Sequence, residues 1–189
     1  MAFRSAVLGV ALVTVACGDR AVDWSKPENF ILREKSVSKD DGAQLEYWSL
    51  VDAACQPVYD ALVDVEHYPD FIPGVDRTQL LTVDGRSKTI QIAQHVIGRQ
   101  SNAKVKWTFD PERKQVDFTT LDSDLNFNDG HYALEPSPDG KRCLVHSTFL
   151  VKPGHGMAQS VPIGVLTTGT REAFLAAARG VRKRAGGSG

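Results

Sequence analysis

In the middle of this chain, from about residue 76 to 151, apolar residues tend to recur at every second position, and the stretches on either side change to helical spacing. The clearest stretch is Lys104-Val-Lys-Trp-Thr-Phe109, where Val105, Trp107 and Phe109 alternate with Lys104, Lys106 and Thr108. Such a segment is a strand with one apolar and one wet face. Ile90 with Ile92, and Val116 with Phe118, follow the same rule. Further strands are predicted near 45–52, 76–83, 130–135 and 142–151. Asp84-Gly85, Asp110-Pro111, Asn128-Asp129-Gly130 and the stretch from Pro136 to Gly140 are read as the turns between strands. The result is an antiparallel meander.

Two departures from that period frame it. After the first strand, Pro57 suits the opening turn of a helix whose apolar face is Val58, Ala61, Leu62 and Val65. Pro69, Pro73 and Gly74 then demand a short second helix or tight turn. Beyond Gly156, Ile163, Leu166, Thr170, Ala173, Phe174, Ala177 and Val181 form one stripe of a long final helix. No internal repeat is present.

The N-terminus carries a different signal. Arg4 precedes an apolar run from Ala6 to Ala16, the arrangement of an export signal peptide, and the run is too short for a membrane span. Thr14-Val15-Ala16-Cys17 resembles a bacterial lipobox, which would make Cys17 the acylated N-terminus; ordinary cleavage after Ala16 is the other reading. Acylation implies an envelope protein, partnered with a membrane through Cys17 and on its periplasmic face. The expected organisation is a signal peptide over 1–17, a linker with one short ordered piece over 18–44, a domain over 45–184 and a tail over 185–189.

The formal charge of −1 gives no general attraction to nucleic acid. The five histidines show no metal-ligand spacing, and no serine sits in a nucleophile elbow, so neither a metal, a cofactor nor a catalytic residue is assigned. His95 and His146 lie in strands where each is either a cavity acid/base or a surface group. Arg179, Arg182, Lys183 and Arg184 would offset the helix dipole or meet lipid headgroups.

Residues 58–75, Val-Tyr-Asp-Ala-Leu-Val-Asp-Val-Glu-His-Tyr-Pro-Asp-Phe-Ile-Pro-Gly-Val, resemble the opening helix and turn of the START-like, or SRPBCC, superfamily, nearest its polyketide cyclase/dehydrase and coenzyme-Q-binding branch. Gly130-His-Tyr-Ala-Leu-Glu-Pro136 with Asp139-Gly140 is similar to that branch's late hairpin, and Pro162 and Arg171 fall near landmarks of its last helix. The resemblance implies an α+β helix-grip fold: a seven-stranded antiparallel sheet wrapped around the long C-terminal helix, with a hydrophobic cavity between.

The expected ligand is a hydrophobic small molecule such as a lipid, sterol, quinone or polyketide-like compound, held or transferred; a cyclase or dehydratase acting in the same cavity is the alternative. Gln94, Trp107, Phe118, Tyr132, Phe149, Ala173, Phe174 and Ala177 are the candidate cavity residues, with Phe71, Ile72 and Phe127 at its lip. Each ring either touches ligand or fills the core. The implied strand order also brings Cys55 close to Cys143, as a disulfide or as two buried thiols.

Overall fold

The computed structural model describes residues 22–25, 31–39, 42–96, 98–154 and 160–186. The element order is β1 (Ile31–Lys39), β2 (Gly42–Val51), α1 (Cys55–Val63), a 3-10 turn (Val65–His67), α2 (Tyr68–Phe71), β3 (Val75–Asp84), β4 (Ser87–Val96), β5 (Arg99–Asp110), β6 (Gln115–Ser123), β7 (Asn126–Pro136), β8 (Cys143–Pro153) and α3 (Ile163–Arg184). The strands form one antiparallel sheet in the order β1-β2-β8-β7-β6-β5-β4-β3. The seven expected strands are β2 to β8.

β1 is an addition. It lies in the stretch read as linker, pairs with β2 from Ile31↔Ser49 to Lys39↔Gly42, and makes the sheet eight-stranded. Its sequence, Ile-Leu-Arg-Glu-Lys-Ser-Val-Ser-Lys, has little apolar alternation. Main-chain pairing with the neighbouring edge is what gives such a segment its strand form.

A second correction concerns Asn128-Asp129-Gly130, which sits inside β7 and not in a turn. Gly130 pairs with Phe118 on one side and Phe149 on the other. A Cβ on Gly130 would lie 2.3 Å from the Phe118 ring and 3.0 Å from that of Phe149, so the two rings fold over the bare backbone. The glycine serves close approach within a strand, where it mimics a turn signal in sequence.

On β5, Ala103, Val105 and Trp107 are buried while the intervening residues are exposed. In β6, Leu121 is an extra residue between the pairs Lys104↔Asp122 and Val105↔Thr120. This bulge lets Thr120 and Ser123 both be buried while Leu121 turns outward. The core continues through Tyr47, Val58, Ile90, Val116, Val151, Leu166, Phe174 and Val181, joining β2, α1, β4, β6, β8 and α3.

The expected register of β2 against β8 is present: Val51 faces Cys143. Cys55, at the start of α1, reaches back across this end and is disulfide-bonded to Cys143, with Cα atoms 4.8 Å apart. The bridge closes a loop over a sequence separation of 88 residues. A loop of that size should contribute about 4 kcal/mol in the chain-entropy account. The double variant Cys55→Ala/Cys143→Ala should therefore lose stability of this order in urea denaturation, and thiol labelling of the unfolded, unreduced wild type should modify neither residue.

Candidate ligand cavity

Between the concave face of the sheet and α3 lies a cavity of about 440 Å³. Its size follows from side-chain volume along the helix. Phe174 stacks on Tyr47 with ring centroids 4.2 Å apart and meets Phe149 edge-on at 5.4 Å, which fixes the middle of α3 to β2 and β8. On the neighbouring positions Gly169, Ala173, Ala176 and Ala177 are too small to reach the sheet, and they line the space. Interiors otherwise pack densely, so a row of small residues facing a curved sheet leaves a void.

The opposite wall is aromatic. Trp107 lies 4.9 Å from Phe118, Phe118 lies 5.8 Å from Tyr132, and Tyr132 lies 5.7 Å from Phe149, all between ring centroids. Tyr68 packs edge-on against Trp107 at 5.8 Å. Its hydroxyl donates to the Leu62 carbonyl at 2.6 Å, tying α2 to the end of α1. Burial pushes the phenols of Tyr68 and Tyr132 well above their ordinary range, so both remain protonated donors at working pH.

Polar groups gather at the Asn126–Asn128 end of the lining. The Thr120 hydroxyl donates to the Asn128 carbonyl at 2.8 Å and accepts from the Asn128 N–H at 3.1 Å, while Asn126 donates to the Asn128 side chain at 2.8 Å. Gln94, His95 and the Pro73-Gly74-Val75 segment also belong to the lining. His95 is half exposed and pairs with Asp76 at 2.8 Å, and Glu172 on α3 is exposed, so these ionisable side chains belong to the rim.

The structure brings Gln94, Trp107, Phe118, Tyr132, Phe149, Ala173, Phe174 and Ala177 around this one space, and Ile72, expected at the lip, is a buried member of the same lining. Phe71 is a correction, because it is not part of the lining. Its ring packs edge-on against Tyr68 at 5.6 Å and under the Arg184 guanidinium at 5.5 Å, on the side of α2 that faces the end of α3. The side chain of Phe127 and all of Cys17 lie outside the described residues. His146 is placed away from the cavity, 2.8 Å from Glu46 and stacked on Trp48. Among the described residues no three His, Cys, Asp or Glu side chains gather as a metal site would require.

Thr170 was legible only as a member of the α3 stripe, and the sequence carries no signal for the polar end formed by Thr120, Ser123, Asn126 and Asn128. A second, water-sized chamber of about 20 Å³ lies behind Tyr132 and Phe174, where Ser49, Ser147 and Val145 form its far side.

A curved antiparallel sheet gripping one long helix over an apolar cavity is the helix-grip architecture, shared by ligand carriers and ring-forming enzymes. The chain belongs to the polyketide cyclase/dehydrase and lipid transport family, whose profile matches residues 51–177. It is similar in structure to the Zhui aromatase/cyclase of Streptomyces sp. R1128, at 19% identity and a TM-score of 0.66 over 76% of this chain and 93% of that one. A STAR-related lipid transfer protein from Xanthomonas axonopodis superposes with a TM-score of 0.61 at 15% identity, over 80% of this chain and 90% of the other. A START superfamily protein from Mycobacterium smegmatis gives 0.61 at 17% identity, over 75% and 97%. No curated protein matches the chain in sequence.

Ala177 lines both the main cavity and the small chamber. Ala177→Trp should leave a cooperatively folded protein, because the new ring enters open space, and should abolish uptake of an apolar fluorescent probe that the wild type binds. Retained uptake by the folded variant would remove α3 from the binding wall.

Proposed function

We propose that this protein holds or transfers a hydrophobic small molecule at the bacterial cell envelope, tethered there through an acylated Cys17. The observation that carries the reading is the cavity itself, about 440 Å³ of space walled by six aromatic rings and a row of small helical residues. That volume falls within the range of small-molecule sites. The family description includes lipid transport, and a STAR-related lipid transfer protein is among the similar structures. Export is supported by the Arg4 and Ala6–Ala16 signal and by the Cys55–Cys143 disulfide, a bond that persists in oxidising compartments.

The second reading is a cyclase or dehydratase acting on a ligand in the same space. It is favoured by the similarity to an aromatase/cyclase and by protonated Tyr132 in the wall, with Gln94 and His95 at the mouth. Under it, the bound molecule would turn over.

Organic extraction of the protein purified from its host, followed by mass spectrometry, should release an apolar compound in near-stoichiometric amount. A compound recovered chemically changed after incubation would move the assignment to the enzyme, and an empty protein that takes up no apolar probe would defeat both. For the tether, Cys17→Ser should shift the protein from the membrane pellet to the soluble envelope fraction; a wild type already soluble would refute acylation.

A further inference from the structure

β1 and β3 are the two edges of the sheet, and their compositions differ. β1 carries Arg33, Glu34, Lys35 and Lys39 in nine residues, the kind of charge that discourages further pairing. In β3 the charges, Asp76, Arg77 and Asp84, only flank an uncharged, proline-free run, Thr78-Gln-Leu-Leu-Thr-Val83. Among the described residues no strand pairs with the outer side of β3, and Leu80, Leu81 and Val83 on it are 38%, 41% and 60% exposed. Such a run on an open edge is a template for another strand.

Pairing with β4 fixes which face each residue takes. Thr78, Leu80 and Val83 stand opposite Ile92, Ile90 and Lys88 and share the concave face, where Ile90 and Ile92 join the core. Arg77, Gln79, Thr82 and Asp84 stand opposite Ala93, Gln91, Thr89 and Ser87 and share the convex face. The change of parity along β3 comes from Leu81, an extra residue between the pairs Leu80↔Ile90 and Thr82↔Thr89.

We infer that the occupant of this edge is a second copy of the chain, joined β3 to β3 antiparallel about a twofold axis so that one sheet runs through both copies. In the register centred between Leu80 and Leu81, Arg77 faces the partner's Asp84, Thr78 the partner's Val83 and Gln79 the partner's Thr82, each meeting a residue of its own face. An opposite-charge pair then closes each end of the ladder. Arg77 and Asp84 are exposed and have no ion-pair partner among the described residues, so both are available for it. Placing Leu80 opposite itself instead would mismatch the faces and set Asp76 against the partner's Asp84. A regular strand would have to skip Leu81, as β4 does, whereas a second copy carries the same extra residue and is met residue for residue. That favours this chain over an unrelated strand.

Sedimentation equilibrium of the full-length oxidised protein in mild detergent should show a reversible monomer–dimer equilibrium between micromolar and submillimolar concentration. Leu81→Lys, at an exposed position, should keep a cooperatively folded chain and give a monomer throughout that range. Arg77→Asp should raise the dimer dissociation constant about tenfold, because it sets like charges opposite each other at both ends of the ladder. Adding Asp84→Arg to it should restore the wild-type constant, a rescue that an unspecific apolar contact would not give. A wild type that stays monomeric would overturn the dimer and leave the edge to a strand of another protein. A dimer that Leu81→Lys leaves intact would overturn the use of this edge, and a charge swap without rescue would overturn the register. The ligand reading stands or falls separately, since no cavity residue is changed.

Discussion

At Gly180 the backbone of α3 comes close to the carbonyl of Phe71: a Cβ there would stand 2.2 Å from that oxygen and 3.2 Å from the Cα of Ile72. No side chain fits in that gap, so this glycine sets how closely the C-terminal part of α3 seats on α2. Val181 beside it enters the core, and Arg184 reaches Asp64 at 3.3 Å. With one end seated and Phe174 stacked on Tyr47, the helix axis is held while the small residues between and beyond stand off the sheet. The cavity is what remains when the helix is fixed at large residues and at a glycine contact, and left unfilled at alanines.

The sheet must keep its curl for that space to persist. β2 and β8 are in register over nine pairs, from Ala43↔Val151 to Val51↔Cys143, and the Cys55–Cys143 bridge joins the end of that ladder to the start of α1. The bulge at Leu121 and the bare backbone at Gly130 act on the far side, in β6 and β7. Because Phe118 lies over Gly130 and touches Trp107, Tyr132 and Phe149, a defect in one strand shapes the aromatic wall of the whole site.

How much of this was readable beforehand depended on whether a residue's role was set by periodicity or by contacts between distant segments. Val105 and Trp107 announce their inward face by alternation, and Val51 opposite Cys143 follows once the strand order is known. Ala173, Phe174 and Ala177 fall on the inner stripe at helical spacing. β1 was read only as a short ordered piece of the linker, not as a strand, since a paired edge segment needs no apolar period. Gly130 looked like a turn because close approach of Phe118 comes from another strand. Phe71 was read as a lip residue together with Ile72; Ile72 is a buried lining residue, while the ring of Phe71 turns toward Arg184.

The same wall bears on the choice between holding and transforming a ligand. Tyr132 lines the cavity and is kept protonated by burial, so its hydroxyl can donate to a ligand oxygen. Ring closure or dehydration also requires removal of a proton from carbon, which calls for a base within hydrogen-bond reach of the reacting position. Among the described lining residues, those able to serve, His95 and Glu172, are exposed, and His95 is paired with Asp76. A base so placed can reach only the portion of a ligand that projects toward the mouth. A cyclase or dehydratase reading therefore places the reacting carbon toward the mouth, whereas holding or transferring a ligand makes no such demand.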